Sequence, residues 1–89
     1  MAAVGGTPRE RAERALASAR GEYERQRQEL IALGSELAGA ELLAAQDLLP
    51  HDDHRLRVLR RLVEVRGSAL TEARQQVVDA EAALPGGTG

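Results

Sequence analysis

Leu48-Leu49-Pro50-His51-Asp52-Asp53-His54 is the one stretch in the interior of this chain where helical periodicity stops and then resumes. Proline has no amide hydrogen to give to a helix and pushes the residue before it out of helical geometry. Asp52 and Asp53, just beyond it, have side chains suited to accept hydrogen bonds from the free amides of a new helix. The stretch therefore reads as a turn over 50–52 that joins a helix over 8–49 to a second over 53–84. The expected fold is all-α, an antiparallel two-helix hairpin with a coiled-coil-like seam, which dimerisation would turn into a four-helix bundle.

Upstream of the turn, Thr7-Pro8-Arg9-Glu10 combines three helix-start signals. Thr7 serves as N-cap, Pro8 as first helical residue with its backbone angle preset, and Glu10 as the third residue, able to reach back to the cap amide. Residues 1–7 before the helix are read as a flexible N-terminus. Within the helix, Leu16, Tyr23, Leu30, Leu37 and Ala44 recur every seven residues, with Ala12, Ala19, Leu33 and Ala40 beside them. Gly21, Gly34 and Gly39 each cost about 1 kcal/mol relative to alanine, so they soften the helix or admit a close neighbour.

Downstream, Leu56, Val63, Leu70, Val77 and Leu84 form a seven-residue ladder, accompanied by Leu59, Leu62, Ala69, Ala73 and Ala80. Pro85-Gly86-Gly87 is the expected stop, with 85–89 a flexible tail. At about 1.5 Å per residue the first helix spans about 63 Å and the second about 48 Å. Folded back on each other, they leave residues 8–17 without a partner, as a frayed end or a docking arm.

Charge order supports the fold-back. Glu29, Glu36, Glu41 and Asp47 approach the turn, and Arg55, Arg57, Arg60, Arg61 and Arg66 leave it; further away, Arg20, Arg25 and Arg27 come opposite Glu72, Asp79 and Glu81. Exposed pairs contribute at most about 1 kcal/mol each, so they select orientation more than they stabilise.

Composition narrows the function classes. In 89 residues there is no cysteine, so disulfides, thiolate nucleophiles and zinc–thiolate sites are excluded and stability has to come from packing or association. One tyrosine is the whole aromatic inventory, and all basic residues are arginine, which points to a GC-rich, bacterial coding genome. The formal net charge is −2 with both signs interspersed, which argues against a general nucleic-acid surface. No segment approaches the roughly 18 consecutive apolar residues of a membrane span. Met1 to Gly6 has no basic cluster leading into an apolar core, so a cytoplasmic protein is expected, with export by a signal-less route left open.

Little here suggests chemistry. His51, Asp52, Asp53 and His54 are the residues that could tempt a metal reading, but a surface turn offers neither three converging ligands nor a second shell to orient them. Capping and solvation are the expected roles; no catalytic residue, cofactor, metal or small-molecule substrate is expected. Tyr23 reads as a packing residue with its hydroxyl at the rim of the seam.

The informative feature is surplus apolar surface near the turn. Ile31, Ala38, Leu42, Ala45 and Leu49 make a second stripe on helix one, and helix two adds Val58 and Val65. One partner helix cannot cover two stripes, so the expected role is a non-enzymatic interaction or structural protein that self-associates, a dimer being favoured, or docks on another protein. Heptads and charge order are similar to those of stalk-type hairpins of export machinery in their generic coiled-coil features. That likeness implies the second reading, a small chaperone or stalk subunit of a secretion or motor assembly; the turn lacks the Trp-X-Gly of small secreted hairpins. A third reading is an arginine-dependent binder of nucleic acid or an anionic surface through Arg55, Arg57, Arg60 and Arg61, diluted by the neighbouring acids.

Overall fold

A computed structural model describes residues 6–84, and within them the chain is two α-helices, α1 (Pro8–Ala45) and α2 (His54–Ala82), with no strand. The two pack side by side in antiparallel order, as a rod with extents of 67 × 30 × 14 Å. The expected flexible segment before Gly6 and the Pro85-Gly86-Gly87 stop with its tail lie outside the described residues.

α1 begins as its first residues require. The Glu10 amide donates to Thr7 Oγ1 at 3.1 Å, and the Thr7 amide donates to Glu10 Oε1 at 2.9 Å. With Pro8 in the first turn, the free donors of the helix end are satisfied reciprocally.

The seam is where the seven-residue spacing places it. Leu16, Ala40 and Ala44 of α1 and Leu56, Leu59 and Ala73 of α2 are buried, and Leu56 has no exposed surface. Ala40, Ala44, Leu56 and Leu59 form a cluster at the turn end, with Leu33, Leu37 and Leu49 packed against it. The core is thus concentrated near the turn. Leu16 is 6% exposed, so the paired region reaches further toward the N-terminus than the 8–17 overhang allowed; the unpartnered stretch ends before Leu16.

The connection differs most from expectation. α1 ends at Ala45, not at residue 49, and the turn occupies 46–53. The Leu48 amide donates to the Leu43 carbonyl at 2.9 Å and the Asp47 amide to the Ala44 carbonyl at 3.1 Å. This is the Schellman arrangement, and it requires a left-handed residue, here Asp47 at φ 58°. Unwinding four residues early lets Leu49 swing back onto the cluster, and Pro50 then closes a turn with the Asp53 amide on its carbonyl at 3.1 Å. α2 restarts close to the expected place: Asp53 is the N-cap, accepting from the Arg55 amide at 2.9 Å.

A left-handed non-glycine residue costs about 1 to 2 kcal/mol, less for aspartate than for most, and glycine removes that cost while adding freedom to the unfolded chain. Asp47→Gly is therefore expected to stabilise the hairpin by up to about 1 kcal/mol, a rise of about 4 to 8 °C in melting temperature for a domain of this size. Thermal denaturation followed by circular dichroism reads it. A fall in the midpoint would show that the Asp47 side chain, and not its backbone angle, sets the helix end.

Candidate interaction surfaces

Between the helices, Arg20 pairs with Glu81 at 3.1 Å, Arg60 with Glu41 at 3.3 Å and Arg66 with Glu29 at 3.6 Å. All three join the halves expected from charge order. Other expected cross-helix partners stay on their own helix: Arg25 binds Glu22 and Glu29, Arg27 binds Glu24, and Arg61 binds Glu64. Positions three and four apart on one helix are already adjacent, so these pairs form with little ordering. Hydrogen bonds from Arg25, and then from Gln26, hold the Glu22 carboxyl below its ordinary pKa.

The seam contains two polar residues that apolar counting passed over. Counting sevens from Leu33 and Ala19 reaches Gln26, and from Leu59 and Ala73 reaches Arg66; both are half-buried. Gln26 donates to Glu22 Oε2 at 2.6 Å, while its own Oε1 is buried with no hydrogen-bond partner. Strict heptad bookkeeping would have found both. It would also have moved Leu62 out of the seam, since Leu62 falls one residue short of Val63 and is 37% exposed.

At the turn, Asp53 is occupied as a cap. His51 Nε2 lies 3.8 Å from Asp47 Oδ1 with both side chains largely in solvent, and His54 is exposed at the first turn of α2. Among the described residues, no group of three or more His, Cys, Asp or Glu side chains is placed to hold a metal ion. Tyr23 is half-buried beside Arg74, Val77, Val78 and Glu81. Of the arginines leaving the turn, Arg60 and Arg61 are engaged by Glu41 and Glu64. No described helix is long and apolar enough to cross a membrane.

Most of the large aliphatic side chains exposed among the described residues lie toward the turn. Ile31 is 53% exposed, Leu42 58%, and Val58 and Val65 are similarly open, together with the small Ala38 and Ala45. Leu43, Leu48 and Leu62 add to the same end, and Val78 stands apart. Leu49, read from sequence as part of the stripe, is instead half-buried against the hairpin's own core, because the early end of α1 turns it inward.

Comparison with protein-family models, with curated proteins and with solved structures finds no match for this chain.

The two apolar stripes do not share a side. Glu41–Arg60 and Arg20–Glu81 mark one long edge of the hairpin. On α1, Leu42 follows Glu41, about 100° further round and away from α2, so Ile31, Ala38, Leu42 and Ala45 run along the outer face next to that edge. On α2, Val58, Leu62 and Val65 lie about 140° to 160° round the helix from Arg60, which puts them toward the opposite edge. On that edge, by the turn, is a shallow hollow lined by Glu36, Gly39, Leu43, Leu49 and Arg55. Val58 and Val65 therefore do not extend the α1 stripe, as the sequence suggested, but form a second, smaller one.

Proposed function

We propose that this chain is a non-enzymatic interaction or structural protein, a helical hairpin that works by offering exposed aliphatic surface near its turn to another protein chain, with a second copy as the favoured partner. The observation that carries the reading is the segregation along α1. Its outer face carries Glu10, Arg14, Ala17, Gly21, Glu24 and Gln28 in turn, three of the six charged, and is then uncharged from Ile31 through Ser35, Ala38 and Leu42 to Ala45. Five exposed positions of one stripe without a charge, four of them aliphatic, are more than scattered surface aliphatics, and a seam whose apolar residues are almost all Leu, Val and Ala gives a lone hairpin a small core.

The test is mass-resolved size exclusion of the full chain, alongside melting at several concentrations. Association predicts a mass above the 9.5 kDa of one chain and a midpoint that rises with concentration. Leu42→Glu places a carboxylate in the contact, where an unpaired charge costs several kcal/mol, and should dissociate the assembly while the chain stays helical. A Leu42→Glu chain with the parent's mass and midpoint would show that this stripe is ordinary solvated surface.

A further inference from the structure

We infer that the occupant of the α1 stripe is the same stripe of a second copy, packed antiparallel across a two-fold axis at Ala38. The inference rests on the association reading above and adds its geometry.

Size complementarity points to it. When two copies of α1 run antiparallel about residue 38, Ile31 meets Ala45, Leu42 meets Gly34 and Ser35, and Ala38 meets itself. Each large side chain finds a small one, the alternation that lets facing helices interdigitate at an interaxial distance of about 8 to 10 Å. The space is open within one chain: a side-chain carbon built at Gly34 or Gly39 would meet nothing of the chain within 4 Å. The helix cost of about 1 kcal/mol at Gly34 then has a use between copies that it lacks within one.

Charge counts against the parallel alternative. From Gln28 to Asp53 every charged residue is acidic, namely Glu29, Glu36, Glu41, Asp47, Asp52 and Asp53. Parallel copies would stack this segment on itself. Antiparallel copies centred on Ala38 bring Arg25 and Arg27 of one to the level of the other's turn and set Glu41 opposite Ser35, while Glu29 comes level with Asp47 and Glu36 lies beside Glu41. The smaller α2 stripe, on the far edge, takes no part and stays open in the dimer.

Because the chain has no cysteine, single substitutions report contacts cleanly. Ala38→Cys at the axis brings two thiols within the roughly 4.4 to 6.8 Å Cα separation a disulfide needs, so mild oxidation should convert most of the chain to twice its mass. Ile31→Cys alone should not cross-link, since its mate lies about 21 Å along the helix, but an equal mixture with Ala45→Cys should. Val65→Cys is the control and should remain single. Cross-linking at Ala38 and in the mixture, with none at Val65, supports the geometry. A parent chain that is associated but cross-links at Val65 and not at Ala38 overturns this inference and leaves the association reading standing; a parent chain that is monomeric at all concentrations overturns both.

Discussion

Leu56→Ala is expected to lower the melting temperature by about 10 to 30 °C and to remove a large part of the hairpin's stability. Leu56 has no exposed surface and sits in the cluster with Ala40, Ala44 and Leu59. Emptying such a site costs about 2 to 5 kcal/mol, from the lost transfer energy and the cavity that remains. At about 0.05 to 0.15 kcal/mol per residue, a chain this size has only about 4 to 13 kcal/mol to lose. Val58→Ala, on an exposed position two residues away, should move the midpoint by no more than a few degrees. Circular dichroism of the two variants decides the matter: equal midpoints would mean that the cluster at the turn is not what holds the helices together.

Gln26→Leu should act in the opposite direction. A buried acceptor without a donor costs about 1 to 3 kcal/mol, and leucine removes it while adding apolar surface to the seam. The expected result is a midpoint higher by about 4 to 8 °C for each kcal/mol recovered. Polar seam residues are also known to restrict register and partner number, so the more stable variant should be less particular in its association, with additional species on size exclusion. A second readout is local. The Glu22 pKa, held down first by Arg25 and then by Gln26, should rise in the variant yet stay below its ordinary value while Arg25 remains. Since a depressed carboxylate pKa contributes stability above the ordinary range that is lost as pH falls, the variant should lose slightly less on acidification than the parent. Nuclear magnetic resonance titration of Glu22 measures it; an unchanged pKa would show that Gln26 does not reach Glu22 in solution.

Much of the molecule was legible in the residues alone. The capping box at Thr7 and Glu10, the restart at Asp53 and the two apolar ladders are local facts, set by spacing within four to seven residues, and the helices form as that spacing requires. Exposure of Ile31, Leu42, Val58 and Val65 follows from the same periodicity, because a helix has one face toward its partner and these lie off it.

Two features were decided by the folded structure. The end of α1 at Ala45 depends on Asp47 adopting a left-handed angle that no glycine announced, and Leu49 is inward only because of it. Gln26 and Arg66, by contrast, were legible in the heptad spacing, which carries them into the seam whatever their polarity. The apolar stripes fall on different sides because the turn sets which edge of α2 lies beside which edge of α1. Periodicity assigns each residue to a face of its own helix, but it carries no information about the rotation of one helix relative to the other; that is settled by the register of the packed seam, where Glu41 meets Arg60 and Arg20 meets Glu81.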